Sequence, residues 1–210
     1  MEKLQKQCVG IEISKLTFTV CVCSLGLDQN VYLSEVEEFS NDKKGFNRFV
    51  RWSKKQQNQS VEMVYLMEAT GVYYESLAYH LHKIKKTVHV VLPNKAKHYI
   101  GSLNQKTKTD SADAQALARF GVERKFSEWH PPAPIYKKLK GLCRFRVSLK
   151  ENRTMLLNQI SSIEASEQGD KFIKKSLKEL VKKIEVQIKS CEQEILRVLE
   201  QDQKIATRVQ

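Results

Sequence analysis

Lys106-Thr-Lys-Thr-Asp110-Ser-Ala-Asp113-Ala-Gln-Ala-Leu-Ala-Arg119 is the stretch around which this chain is best read. Ala112, Ala114, Ala116, Leu117 and Ala118 are strong helix formers. Asp110 and Asp113 stand three apart where the helix should begin, so both carboxylates can share one helical face. Lys106, Lys108 and Arg119 flank them. Two acids among cations suit a divalent metal beside a phosphate backbone. They equally suit helix initiation, with Asp110 as the N-cap and Asp113 as a first-turn acid favoured by the dipole. This stretch alone leaves both readings open.

Working outward, residues 8–24 alternate as a β-hairpin. Val9, Ile11 and Ile13 share one parity, Phe18, Val20 and Val22 another, and Ser14–Leu16 supplies the turn. A third strand is expected over Val31–Phe39, then a helix starting at Asn41-Asp42 with Phe46, Phe49, Val50 and Trp52 as its apolar stripe. Val61–Met67 is nearly continuous in apolar residues, as in a strand buried on both faces. Tyr73–Lys85 has helical spacing, Val88–Leu92 reads as a short strand stopped by Pro93, and Lys95–Ile100 as a helical turn. The helix opened at Asp110 should run to about Arg124. Three strands, helix, strand, helix, strand, helix make a mixed α/β sheet, in which an antiparallel hairpin leads into parallel strands.

The cluster Pro131-Pro132-Ala133-Pro134 marks a domain boundary, dividing an α/β domain over 1–130 from a helical region over 135–210. In the latter, Leu142, Leu149, Leu156 and Ile163 recur every seven residues. Leu139 and Ile160 hold the companion position, which Arg146 and Arg153 interrupt. Gln168-Gly169-Asp170 can turn the chain back into a second stripe of Ile173, Leu177, Leu180, Ile184, Ile188, Cys191 and Ile195. Two such narrow stripes need each other or a second chain, so a coiled-coil hairpin that forms a homo-oligomer is expected.

Composition bounds the function. With 36 Lys and Arg against 24 Asp and Glu, the net charge of +12 favours a polyanionic partner, most simply nucleic acid. No apolar run of about 18 residues is present, so no membrane span is expected. The five cysteines form no CxxC pair and read as reduced thiols of a cytoplasmic, nucleoid-associated protein of bacterial type.

Two further acids change the odds at the opening stretch. Glu12 ends the first strand, and Glu68 ends the apolar run Val64-Tyr65-Leu66-Met67. Strand ends and helix starts gather at one edge of an α/β sheet. Glu12, Glu68, Asp110 and Asp113 can therefore meet there. A carboxylate ending so apolar a run is costly to bury unless paired or metal-bound.

At this point a resemblance enters. Gly10-Ile11-Glu12-Ile13-Ser14-Lys15, Met67-Glu68-Ala69-Thr70-Gly71-Val72-Tyr73, Val90-Val91-Leu92-Pro93-Asn94 and Lys108-Thr109-Asp110-Ser111-Ala112-Asp113-Ala114 resemble the successive motifs of DEDD-type insertion-sequence transposases, relatives of the Piv invertase. The resemblance covers residues 8 to about 200. It implies a RuvC-like, RNase H-like fold followed by a coiled coil, and DNA strand cleavage and joining in transposition or inversion. It places Glu68, Asp110 and Asp113 at the second to fourth acidic positions of a catalytic tetrad that holds Mg²⁺ (or Mn²⁺). It also implies a structured noncoding RNA as a partner, with Arg144, Arg146, Lys150 and Arg153 as candidate contacts; on the plain reading these four are a solvated helix face. Lys95, Lys97, Lys106 and Lys108 are phosphate contacts on this reading, and solvated surface lysines on the plain one.

Two departures stand out. The family has Asp where this chain has Glu12. The family also carries a C-terminal domain with a proposed serine nucleophile, and this chain stops at Gln210, where that domain would start. The expectation is a fragment or decayed copy, incomplete alone as an enzyme. The rival readings are a non-catalytic nucleic-acid-binding dimerisation module and a sugar-kinase-like ATPase. The latter is disfavoured by only 8 scattered glycines.

Overall fold

The structure is a computed structural model that describes residues 4–103, 109–166 and 169–200. The chain divides at Pro131/Pro132 into two compact units.

The first unit holds strands β1 (Leu4–Ile13), β2 (Thr17–Gly26), β3 (Val31–Leu33), β4 (Glu37–Ser40), β5 (Met63–Glu68) and β6 (Val88–Val91), with helices α1 (Lys43–Gln56), α2 (Glu75–Lys83), α3 (Pro93–Ser102) and α4 (Asp110–Glu123). The sheet runs β3-β2-β1-β5-β6, with β4 also on β2. β1 pairs antiparallel with β2, β5 lies parallel to β1, and β6 parallel to β5. This is the mixed sheet expected from the sequence, an antiparallel hairpin leading into parallel strands.

Strand alternation sorts the core into two layers. Val9, Ile11, Ile13, Phe18, Val20, Val22, Tyr65 and Met67 face one side, packed with Phe46 and Phe49 of α1 and Leu77, Ala78 and Leu81 of α2. Cys8, Cys21, Cys23, Leu25 and Leu66 face the other, with Ala96 of α3 and Ala114, Leu117 and Ala118 of α4. The hairpin parities read from the sequence are thus borne out. Gln7 is buried within the sheet and satisfied at both ends of its amide, donating to Ser24 Oγ (3.1 Å) and the Gln56 carbonyl (3.0 Å) and accepting from the Asn58 N–H (2.9 Å).

Several boundaries differ from expectation. The single strand expected over Val31–Phe39 is broken into β3 and β4. The Ser34 hydroxyl accepts the Val22 N–H (2.9 Å), displacing the regular ladder there. The helical turn expected at Lys95–Ile100 is a ten-residue helix. Pro93 both ends β6 and starts α3, because its fixed φ and missing N–H suit the first helical position. α2 starts later than expected, since Gly71 takes a left-handed φ of 57° and Val72 to Tyr74 are spent on the turn. Asp42 caps α1, its Oδ1 accepting the Gly45 N–H at 2.7 Å.

The second unit is a helical hairpin of α5 (Pro134–Ala165) and α6 (Lys171–Glu200). Leu156 and Ile160 bury against Val181, flanked by Leu177 and Ile184, and Leu149 is buried as well. Asp170 caps α6, accepting the N–H groups of Phe172 (2.7 Å) and Ile173 (3.1 Å). Gln168 lies outside the described residues. The second stripe keeps most of its expected face: Cys191 is buried and Leu177 and Ile184 pack on the seam, joined by the buried Val181 and Val198, whereas Leu180 and Ile173 are 46% and 49% exposed. Among the described residues, no helix is long and apolar enough to cross a membrane.

Candidate metal and nucleic-acid site

Glu12 and Glu68 occupy neighbouring parallel strands, each one residue beyond the registered pair Ile11–Met67. Both are half-buried. By alternation, Glu12 shares a face with Cys8 and Gly10, and Glu68 with Leu66. That is the face on which α4 packs.

The direction of α4 is set by two close approaches. A Cβ on Gly121 would meet Cys8 Sγ at 2.1 Å, and a Cβ on Gly10 would meet the Ala118 nitrogen at 2.0 Å and the Ala114 carbonyl at 2.3 Å. From Cys8 to Gly10 the helix contact therefore steps back from Gly121 to Ala114. One more step along β1 reaches Glu12, and one more helical turn reaches Asp113 and Asp110. Glu12 and Glu68 thus end adjacent strands on the face that α4 covers, and Asp113 and Asp110 open that helix towards the same end. Asp113 is 6% exposed, whereas Asp110 is exposed.

The helix start corrects one sequence reading. Asp110 is not the N-cap of α4. Thr109 is, its Oγ1 accepting the Ala112 N–H at 3.1 Å, and this places Asp110 at the first helical position. Both aspartates lie in the first turn, where the helix dipole favours negative charge. Capping and acid clustering are therefore the work of different residues.

Glu68 is oriented by its own loop. The Thr70 hydroxyl donates to its Oε1 at 3.0 Å, and the Thr70 N–H donates to its carbonyl at 2.9 Å. Sequence reading missed Asn41. Its Nδ2 donates to the Ser14 carbonyl (2.9 Å) and the Tyr73 carbonyl (3.2 Å), tying the turn after Glu12 to the loop after Glu68. Its buried Oδ1 has no partner among the described residues. The signal in sequence was only an Asn beside a helix cap, which has many commoner uses.

The donor set is carboxylate oxygen from three segments, the chemistry a hard divalent cation takes. The chemistry of these residues fits such an ion, but no three of the four acids bring their carboxylate oxygens within 4.8 Å of one another. Among the described residues, the three-ligand group whose donor atoms lie within 4.8 Å of one another is elsewhere, at His82, Glu128 and His130.

The cations distribute unevenly. Lys95 and Lys97 are exposed on the first turns of α3, either side of the buried Ala96. α3 leaves the same sheet edge as the acids, because Val91 at the end of β6 registers with Glu68. Lys95 also lines a shallow cleft of about 390 Å³ with His98, Tyr99, Phe120 and Arg124. Lys106 and Lys108 lie outside the described residues. Arg119, which flanks the acids in sequence, instead pairs with Glu123 at 2.6 Å. Burial opposes ionisation of Glu123, but hydrogen bonds from Arg119 and Tyr99 outweigh it and hold the carboxyl below its usual range. Tyr99, stacked on Phe120 at 4.0 Å, has its phenol pushed up by burial and by that same carboxylate. Arg146 and Arg153, expected as nucleic-acid contacts, bridge the hairpin: Arg146 Nε lies 2.6 Å from Glu192, and Arg153 2.7 Å from Glu185. They interrupt the apolar seam because each meets an acid across it.

Comparison with known proteins agrees with the motifs. The family model for IS110-type DEDD transposases, described as a transposase, matches residues 9–163. The pilin gene-inverting proteins of Moraxella bovis and Moraxella lacunata are each 32% identical over 147 residues. The match covers 68% of this chain and 42% of each relative, so the chain spans less than half the length of the curated relatives it matches. Among solved structures, Thermus thermophilus RuvC aligns with a TM-score of 0.43 at 13% identity, covering 59% of this chain and 99% of that one. The fowlpox virus Holliday junction resolvase aligns with a TM-score of 0.40 at 15% identity, covering 56% and 97%.

Proposed function

The chain belongs to the IS110-type DEDD transposase family, and from that premise we propose that its α/β unit binds DNA and a divalent cation for strand cleavage and joining in transposition or inversion. What supports this reading is that Glu12 and Glu68 end adjacent parallel strands on the face where α4 packs, and that Asp110 and Asp113 lie in the first turn of that helix.

Glu12 and Glu68 hold the strand side of the site, and Asp110 and Asp113 the helix side. Thr70 keeps the Glu68 carboxylate turned and hydrogen-bonded. Asn41 holds the two acid-bearing loops together. A bound divalent cation, Mg²⁺ or Mn²⁺, supplies charge neutralisation at a phosphate and a more acidic attacking hydroxyl. Lys95 and Lys97 receive the flanking phosphates at the start of α3, where the helix dipole adds to their charge. Lys106 and Lys108, just before Asp110 in the sequence, are further phosphate contacts on this reading. The net charge of +12 draws in the polyanion and makes binding salt-dependent.

The helical hairpin is the oligomerisation element on this reading. Val147 and Met155 of α5 and Leu180 and Val186 of α6 are each about half exposed or more. An apolar surface of that kind favours a second copy. Arg146 and Arg153 reach a structured RNA only by exchanging their glutamate partners for phosphates. Lys150, 3.9 Å from the Glu192 that Arg146 also meets, is the more loosely held contact.

Glu12 favours a second reading, a nucleic-acid-binding dimerisation module that does not cut. Its carboxylate reaches about 1.5 Å further than that of the family's aspartate, while Mg²⁺ demands near-ideal octahedral geometry. One experiment separates the two. Supercoiled and branched DNA are incubated with the chain in Mg²⁺ or Mn²⁺, and binding and nicking are both scored. Salt-sensitive binding with nicking that disappears in Asp110→Asn supports the enzyme. Binding without nicking, even in Glu12→Asp, supports the module. Absence of binding at low salt rejects both.

A further inference from the structure

A second cluster of metal-ligating side chains lies away from the acids. His82, in the last turn of α2, and Glu128 and His130, in the segment after α4, place one ligand atom each within 4.8 Å of one another. We propose that these three residues form a transition-metal site, with zinc as its natural occupant, that staples the segment Phe126–His130 to α2.

The backbone is already organised for it. Among the described strands, β6 is the last in the sheet, and an uncovered edge is a site for unwanted pairing. Phe126–His130 runs along this edge. The Trp129 N–H donates to the Val88 carbonyl at 2.7 Å, and His89 Nδ1 donates to the Ser127 carbonyl at 2.9 Å. Trp129 packs edge-on against Tyr79 (5.3 Å) and His82 (6.0 Å) of α2. Glu128 and His130 bracket this anchored tryptophan, and the His82 and His130 rings stand nearly perpendicular at 5.8 Å. The strap therefore brings its two ligands to the third through contacts that need no metal.

The donor set selects the ion. Two imidazoles and one carboxylate are the three-ligand set of many zinc sites, which keep a fourth position for water. Donors in a tetrahedral zinc site stand about 3.4 Å apart, given bonds of roughly 2.0–2.2 Å. Closing from within 4.8 Å is a matter of side-chain rotation for the exposed Glu128 and His130. A position at the C-terminal end of α2 adds a favourable dipole for a cation. The site is also separate from the acids. Trp129 anchors at Val88, three residues before the Val91 that pairs with Glu68, which is about 10 Å along the strand. An all-oxygen set and an imidazole set favour different metals, so the two sites need not compete.

The test uses the full chain, stripped with chelator and titrated with Zn²⁺ in excess Mg²⁺. Co²⁺ serves as an optical probe. One equivalent of Zn²⁺ is expected to bind, with tetrahedral Co²⁺ absorption. Losing a direct ligand in His130→Asn or His82→Gln should cost about 100-fold or more in affinity, the upper end of what even supporting residues cost. Asp110→Asn and Cys143→Ser should bind as the parent does. Zn²⁺ should also slow tryptic cleavage at Lys125 in the parent and not in His130→Asn. Because His130 is exposed, that variant should keep its fold, and circular dichroism checks this. Unchanged Zn²⁺ affinity in His130→Asn, or loss of binding in Asp110→Asn or Cys143→Ser instead, overturns the proposal.

Discussion

Gly10 and Ala118 meet backbone to backbone: a Cβ on Gly10 would lie 2.0 Å from the Ala118 nitrogen. This contact seats α4 on β1 two residues before Glu12. The same contact that closes the core therefore sets how near Asp113 and Asp110 come to the strand acids.

Gly10→Ala is expected to force α4 away from β1 and to cost about 3 kcal/mol, the upper range for overpacking a rigid neighbour. Gly141→Ala is the control. Nothing lies within 4 Å of its added Cβ in α5, and it should stabilise by about 0.5–1 kcal/mol through helix propensity. Denaturant melts check both, and a neutral Gly10→Ala would show that the helix can move freely.

Metal response should depend on residue 12. Mg²⁺ or Mn²⁺ is expected to raise the melting temperature weakly in the parent and more strongly in Glu12→Asp, since ligands that prefer the native state stabilise it. Asp110→Ala should remove that gain in the Glu12→Asp background, because the two acids serve one cluster and their effects do not add. Thr109, not Asp110, caps the helix, so Asp110→Ala should cost less without metal than the roughly 1 kcal/mol of a lost cap. An identical metal response in all three proteins would refute the shared site.

His80 should make the fold acid-sensitive near neutrality. Burial, then the charges of Lys43 and Lys83, lower its pKa from the ordinary imidazole value. Its ring packs 5.4 Å from Phe46. The unfolded chain binds the proton more readily, so the contribution of neutral His80 is present above about pH 6.5 and lost as pH falls below that. Thermal melts between about pH 7 and pH 5 should show a smaller loss in His80→Gln than in the parent. The carboxylates with lowered values, Asp42, Glu123, Glu164 and Glu194, lose their contribution only further down, below about pH 4.3. Equal slopes in the two proteins would remove His80 as the cause.

The interhelical pairs of the hairpin should be weak. Arg153 and Glu185 are 40% and 42% exposed, and a double-mutant cycle should return about 0.2–1 kcal/mol. If Arg153 also serves nucleic acid, Glu185→Gln should tighten RNA binding by releasing it. Unchanged or weaker binding would leave the arginine a purely structural role.

Thiol labelling of the native chain should start at Cys143, the exposed cysteine. Burial, then the neighbouring Cys21 and Glu123, pushes Cys23 up to about 12. Burial also raises Cys8 and Cys21. Mass spectrometry after brief alkylation reads the order, and early modification of Cys8 or Cys23 would mean that the sheet opens.

Local pattern carried much of this protein. Alternation over residues 8–24 determined the hairpin and its faces, since a period of two admits one buried side. The apolar run before Glu68 marked a strand buried on both faces. The spacing of Asp110 and Asp113 put both in one helical turn. These are short-range properties, and neighbouring residues suffice to specify them. What the tertiary structure decided is long-range. The choice of Thr109 over Asp110 as cap depends on backbone dihedrals that composition does not encode. The break at Ser34 depends on a hydroxyl meeting the N–H of Val22, twelve residues earlier. Arg146 and Arg153 look like exposed cations in a linear stripe, and only the fold of the hairpin supplies Glu192 and Glu185. His82 and His130 stand 48 residues apart with no motif between them. Their meeting follows from the strap being laid along β6, a consequence of sheet order and not of any local sequence.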